Sequence, residues 1–286
     1  MTRRRASSLM SPELNYMAKG NDGNYLQHSV ELALAVALAQ SSPDGGLHIM
    51  LTHGMAPTQA CGSLPHGQTR KALCRALQLG QASPSLEEPA VVKAYRATNA
   101  SLEKYPNSAE LIAASVGRLR LSGGITEVDR AKHAQLMERW QGTQVKPILG
   151  SWRPEMVGAG VHTWASPSRT KSPWLLSMDP MTYSEARLRD DDKLYRADGE
   201  RIGRALRPFV ESGVPGVAII FAYAVRPNIR PLFWSFADRI AADAGIRTDS
   251  CWMSHQGGNR NLVAIFGVGL TFPPAWPPPA VNPGRD

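Results

Sequence analysis

Trp174-Leu175-Leu176-Ser177-Met178-Asp179-Pro180-Met181-Thr182-Tyr183 reads as a buried strand followed by its exit. Residues 174–178 are almost continuously apolar, without the alternation of a half-buried strand. Such a run suits the middle of a parallel sheet, where helices cover both faces. In an open α/β sheet, ligands bind beyond the carboxyl ends of the strands, so the exit is where chemistry is expected. An acidic side chain there can accept from an exocyclic amine, a proline stiffens the turn, and an aromatic can stack on a base. Asp179, Pro180 and Tyr183 are therefore candidate catalytic residues. Asp-Pro is also a common turn dipeptide, and the motif alone leaves a plain strand-ending turn equally open.

Outward from this strand the pattern alternates. Toward the carboxyl terminus, residues 187–192 form a charged loop, followed by an expected helix over 198–211. Ile202, Leu206, Phe209 and Val210 share one face of that helix, with Arg201, Arg204 and Arg207 off it. A strand is expected over Gly216–Val225 and a helix over 231–244. Two strands (Thr248–Ser254 and Asn261–Leu270) then join through Gly257-Gly258 as a hairpin. Toward the amino terminus, Ser29–Gln40 reads as a helix apolar nearly all round, and Leu47–Thr52 as a short strand. Residues 57–107 read as an inserted helical subdomain, with helical stretches at about 67–79 and 88–104. Asn107 caps a helix over 108–118, Leu121–Val128 is a strand, Asp129 caps a helix reaching Trp140, and Val145–Leu149 is a strand. Residues 151–172 read as loop. The whole is a mostly parallel α/β sheet with one reversed strand. The domain expected spans 16–270, between a disordered basic terminus at 1–15 and a Pro-rich arm at 271–286.

The chain has 286 residues, a formal charge of +8 and three cysteines. The basic excess raises nucleic acid as a partner without establishing it. Cys61, Cys74 and Cys251 show no CxxC spacing, which argues against a disulfide framework or a zinc site and for a reducing, cytoplasmic setting. The most apolar run, Val30–Ala39, is too short to span a membrane.

Two other strand ends carry candidates. Thr52-His53-Gly54-Met55-Ala56-Pro57 follows the first strand, where backbone amides must approach a cofactor closely and glycine is favoured. Glu127 ends the next strand, where a carboxylate can accept from both ribose hydroxyls of a nucleoside. It can equally be a helix-start residue favoured by the dipole. The histidines have no metal-ligand spacing, and neither a nucleophile elbow nor a P-loop is present.

In order along the chain, these segments resemble the bacterial 23S ribosomal RNA adenine-N6 methyltransferases. Lys19-Gly20-Asn21-Asp22-Gly23-Asn24-Tyr25-Leu26-Gln27-His28 is similar to that family's His-Ala-Gly-Asn-His-Ala-Asp-x-Leu-Lys-His signature. Thr52-His53-Gly54 stands at its Thr-His-Ala-Gly-Ala-Gly, Tyr105-Pro106-Asn107-Ser108 at its Tyr-Pro-Gly-Ser, and Asp179-Pro180 at its Asp-Pro-Pro-Tyr. The resemblance implies a Rossmann-like class I methyltransferase fold with a reversed final strand, and S-adenosylmethionine as cofactor. It further implies cofactor contacts from His28, His53, Gly54, Ser108, Glu127 and Gly150, with Asp179 binding the target amine and accepting its proton. RNA, ribosomal by first choice, is the implied partner, with neither membrane nor metal involved.

The departures are as specific as the matches. Met55 and Pro57 replace two motif glycines, and Leu149-Gly150 stands where the family has the Asp-Gly that reads the cofactor's adenine. Losing one such buried hydrogen bond costs about 1–3 kcal/mol. Met181 replaces the second proline of the catalytic motif, and the aromatic falls one place late at Tyr183. Two alternatives follow from these changes. One is a methyltransferase-shaped RNA- or protein-binding module that has lost transfer. The other is a methyltransferase with a non-nucleic-acid acceptor.

Overall fold

A computed structural model describes residues 20–64, 69–84, 88–153, 171–180, 182–184, 193–222, 230–247, 251–256 and 261–270. The terminal segments at 1–15 and 271–286, the charged loop at 187–192, most of the loop over 151–172 and the Gly257-Gly258 turn lie outside these residues.

The described elements run α1 (Asp22–Ser41), β1 (Leu47–Leu51), β2 (Thr58–Gln59), α2 (Lys71–Gln81), α3 (Ala90–Ala97), β3 (Tyr105–Pro106) and α4 (Ser108–Val116). Then come β4 (Leu121–Glu127), α5 (Arg130–Arg139), β5 (Gln144–Leu149), β6 (Trp174–Met178), β7 (Thr182–Ser184) and β8 (Lys193–Tyr195). The chain continues through α6 (Asp198–Glu211), β9 (Gly216–Ala222), α7 (Arg230–Ala244), β10 (Cys251–Gln256) and β11 (Asn261–Val268).

Seven strands form one sheet in the order β10-β11-β9-β6-β1-β4-β5. The pairs β1–β4, β1–β6, β4–β5 and β6–β9 are parallel, while β11 runs antiparallel to both β9 and β10. One reversed strand in an otherwise parallel sheet is the Rossmann-like class I methyltransferase arrangement. The chain moves outward from β1 through β4 to β5, then returns to build β6 and β9 on the other side. The order therefore reverses between β1 and β6, and their carboxyl ends flank the crevice where such sheets bind ligands.

Period-two alternation sends each strand's side chains to two separate cores. Leu47, Ile49, Leu51, Leu175, Val217, Ile219 and Phe221 pack under α1–α5. Met50, Trp174, Leu176, Met178, Ala218 and Ile220 pack under α6 and α7 with Phe209, Phe233 and Ile240. All five residues of β6 are buried, as its composition required. Helices α2 and α3 share the cluster of α1, α4 and the sheet through Leu73, Leu77, Val92 and Tyr95, and the β2–β3 ribbon closes the base of this excursion.

Helix α1 begins two turns earlier than its apolar run suggests. Asn21 and Asn24 form a reciprocal cap, each side chain accepting from the other's backbone amide at 3.0 and 3.2 Å. Asp22 in the first turn serves a different helix. Its Oδ1 accepts from the amides of Ala72 and Leu73 at 2.9 and 3.1 Å, capping α2, whose own Arg70 makes no side-chain cap.

Candidate functional site

The turn leaving β1 is built by close packing. A Cβ on Gly54 would lie 2.7 Å from Ile125 Cγ2, 2.9 Å from Leu136 Cδ1 and 3.0 Å from the Thr126 carbonyl oxygen, so glycine alone fits. The Gly54 amide donates to the Thr126 carbonyl at 2.7 Å. The next residue, Met55, has φ 55°, the left-handed region that non-glycine residues seldom occupy. Its amide donates to Glu127 Oε2 at 2.7 Å, and Asn107 Nδ2 donates to the Gly54 carbonyl at 2.8 Å. The motif glycine is gone at position 55, yet the glycine-type backbone persists.

Glu127 is buried at the end of β4. Besides Met55, it accepts from the Asp129 amide at 2.8 Å through Oε1, so its carboxylate links the β1 turn to the start of α5. Each carboxylate oxygen has a second lone pair. Gly150 follows β5 and donates its amide to the Glu127 carbonyl at 3.0 Å. It lies at φ 150°, with no heavy atom within 4 Å of where a Cβ would stand, so the backbone borders open space. Leu149 beside it is exposed and brings an apolar side chain to the place of the family's acidic residue.

His53 is half-buried. Its Nδ1 shares a hydrogen bond of 2.7 Å with Thr52 Oγ1, and its ring centroid lies 6.3 Å from that of Trp152. His28 sits within the helical layer, its ring stacked on Tyr105 at 5.4 Å. Its Nδ1 is engaged by the Tyr95 and Tyr105 hydroxyls at 3.1 and 3.0 Å. Burial pushes the Tyr95 phenol far above its ordinary range.

Asp179 is half-buried and Pro180 buried, directly beyond β6. Tyr183 lies on β7, its backbone opposite Leu194 of β8; its side chain and Met181 lie outside the described residues.

A carboxylate that sequence reading passed over stands behind Asp179. Glu31 of α1 is 1% exposed. Its Oε1 accepts from Ser177 Oγ at 2.5 Å and from Gln27 Nε2 at 3.1 Å, and Gln27 Nε2 also donates to Ser108 Oγ at 3.4 Å. Desolvation, reinforced by the nearby Asp179 charge, pushes its pKa up to about 7, with Ser177, Ser108 and Gln27 pulling the other way. Only one signal marked it: an acidic residue inside an otherwise apolar helix.

A second unforeseen group is the buried pair of Arg153 and Asp198. Arg153 Nε lies 3.2 Å from Asp198 Oδ1, Asp198 Oδ2 accepts from the Tyr195 amide at 2.9 Å, and the guanidinium covers the Trp152 ring at 4.5 Å. It fixes Trp152, and through it one wall beside His53, to the start of α6.

The expected site residues thus fall into two settings. The Gly54-Met55 turn, Glu127 and Gly150 are joined by hydrogen bonds at the β1–β4–β5 ends, through the Met55 and Gly150 amides. Ser108 and Asp179 meet around Glu31 at the β6 end, while His28 is tied into the tyrosine pair behind them. Of the arginines on α6, Arg204 pairs with Glu200 at 3.5 Å, and Arg207 donates to the Asp243 carbonyl at 2.6 Å, bracing α6 against α7. Cys61 and Cys74 are free. Among the described residues, no group of three or more His, Cys, Asp or Glu side chains is arranged to hold a metal ion. No helix among them is long and apolar enough to cross a membrane.

The fold is that of the class I methyltransferases. Among solved structures, the chain is similar to protein LPL1258 of Legionella pneumophila, which carries the family label DUF519. They are 13% identical over 91% of this chain and 88% of that one, with a TM-score of 0.61. Looser matches are a TehB-like S-adenosylmethionine-dependent methyltransferase of Corynebacterium glutamicum (13% identity, 85% and 95% covered, TM-score 0.32) and the CurJ carbon methyltransferase (7%, 57% and 46%, 0.32). No family model matches the chain, and no curated protein sequence matches it.

Proposed function

We propose that this chain is an S-adenosylmethionine-dependent methyltransferase whose acceptor is an exocyclic adenine amine of RNA. The observation that carries the reading is the Gly54-Met55 turn, held in a glycine-type backbone by Glu127 at the crevice between β1 and β6.

The residues present fit the cofactor. The turn packs tightly against β4, with Gly54 buried and Met55 half-buried beyond it. Glu127 retains lone pairs for ribose hydroxyls, and Gly150 borders open space. His53 adjoins the turn, and Ser108 opens α4 near Glu31. When bound, the cofactor supplies an electrophilic methyl on a sulfonium. The protein's own part is positioning. Asp179 accepts a hydrogen bond from the acceptor amine, which fixes the direction of the nitrogen lone pair. Asp179 would take up the amine proton as the nitrogen accepts the methyl group. Pro180 stiffens the turn that aims Asp179, and Tyr183 is the aromatic available to stack on the base. The RNA partner rests on the +8 charge and on the family resemblance.

Calorimetry with S-adenosylhomocysteine tests the reading at its root, since absence of binding at high protein concentration removes it. Labelled methyl transfer to total RNA, set beside peptide and metabolite fractions, identifies the acceptor. Asp179→Ala is expected to abolish transfer while leaving cofactor binding in place. A degenerate binding module is favoured by one observation, the apolar Leu149 where an acceptor is needed. That alternative predicts salt-sensitive RNA binding indifferent to cofactor.

A further inference from the structure

We infer that Arg153 and Asp198 are positioning residues that lock the cofactor side of the crevice to the ribbon following the acceptor motif, so that ordering one side orders the other. The inference rests on the proposed cofactor and deepens it.

The two sides of the crevice meet at this pair. On the cofactor side, the Gly150 amide is held by the Glu127 carbonyl. Two places later Trp152 is buried, its ring 6.3 Å from that of His53. On the acceptor side, β7 starts at Thr182, three residues after Asp179. It pairs in parallel with β8, where Ser184 stands opposite Tyr195. The Tyr195 amide donates to Asp198 Oδ2 at 2.9 Å. Arg153 completes the link. Its Nε lies 3.2 and 3.4 Å from the two Asp198 oxygens, and its Nη2 lies 3.3 Å from Oδ2. The same guanidinium covers the Trp152 ring at 4.5 Å and the Tyr195 ring at 5.4 Å. One side chain thus touches both the wall beside His53 and the end of the ribbon.

Stability alone does not account for such a pair. Its side chains are 8% and 1% exposed, and well-packed apolar residues of similar volume often serve a core as well as a buried ion pair or better. What the pair adds is direction, because a planar fork stacked on rings admits few orientations. Leu194, beside Tyr195, is buried in the same core as Trp152, so both ends of the link are packed groups. A ligand that orders His53 and Trp152 therefore acts on a ribbon already tied to them, and the ordering cost left for the acceptor falls. Cofactor binding would in this way steady the acceptor turn before the acceptor arrives.

Hydrogen exchange of the full chain, with and without saturating S-adenosylhomocysteine, reads the link without needing the acceptor. In the parent the ligand is expected to slow exchange at residues 52–55 and 150–153. It should also slow exchange in the ribbon, at Thr182–Ser184 and Lys193–Tyr195, by about fivefold, the equivalent of about 1 kcal/mol. The double variant Arg153→Met with Asp198→Asn removes both charges with groups of similar size and keeps an acceptor for the Tyr195 amide. It should still bind the ligand and protect residues 52–55, and lose the protection of the ribbon. Should it not fold, Arg153→Lys keeps the buried charge, loses the fork and reads the same loss. Equal ligand-induced protection of the ribbon in parent and variant overturns the lock. Protection of residues 52–55 in the parent with none at the ribbon overturns it too, and both results leave the cofactor reading standing. Absence of ligand binding in the parent overturns the cofactor reading and the lock with it.

Discussion

The Met55 amide donates to Glu127 Oε2 at 2.7 Å while Met55 itself holds φ 55°. A carboxylate thus pins a non-glycine residue in a backbone region that costs about 1–2 kcal/mol for an L side chain. Restoring glycine relieves that cost but raises the chain entropy lost on folding by about 0.5–1 kcal/mol. Met55→Gly should therefore leave stability within about 1 kcal/mol of the parent in urea unfolding. Met55→Val, β-branched, should lose about 1–3 kcal/mol. A large loss on Met55→Gly would mean that the side chain matters here and the backbone does not.

Gly54 makes the opposite case, since its constraint is packing. Ile125, Leu136 and the Thr126 carbonyl leave no room for a methyl. Gly54→Ala should destabilise by about 1–3 kcal/mol through forced displacement of β4 or α5. Denaturation would register the loss, and calorimetry should show weaker cofactor binding alongside it. Intact stability in Gly54→Ala would refute the close-packed turn.

Glu31 sets a pH dependence of stability with a definite sign. Its folded pKa is about 7 against an ordinary 4.5. The folded protein therefore holds a proton that the unfolded chain releases between those values. The stability it contributes is complete below about pH 4.5 and is lost as pH rises through about 7, amounting to about 3 kcal/mol. Glu31→Gln should flatten this slope and unfold at higher denaturant than the parent above neutral pH. Identical slopes in the two proteins would show that Glu31 titrates normally.

The Arg153–Asp198 pair is expected to behave as a buried ion pair. Asp198→Ala removes the carboxylate paired with a guanidinium that is 8% exposed, and with it the acceptor of the Tyr195 amide. The cost should be about 3–5 kcal/mol. Replacing both residues by leucine should recover much of that loss, and a double-mutant cycle measures the difference.

The sheet was legible because its strands announce themselves by composition. Trp174–Met178 was bounded to the residue, and the hairpin reversal followed from two strands meeting at glycines. The start of α1 was not legible, because Asn21, Asp22 and Asn24 read as turn residues until their mutual caps are seen. Glu127 ends β4 and Asp179 follows β6, where the strand pattern put them. Glu31 was missed because its significance depends on Ser177, Ser108 and Asp179, all distant in sequence. Met55 was read as the loss of a motif glycine, since a sequence shows a side chain and cannot show a backbone φ of 55°.

The two-residue ribbon of Thr58–Gln59 with Tyr105–Pro106 bears on the order of folding. Strands β1 and β4 are neighbours at the sheet's centre, yet the stretch from Thr52 to Arg120 separates them. Pairing them directly demands closure of that entire length, which slows a parallel sheet. If α2 and α3 collapse first and the ribbon zips, only short segments on either side remain to be closed. Pulse-labelled hydrogen exchange should then find amides of α3 protected before those of β4. On that order the ribbon would make the central pairing of the sheet a late and local event.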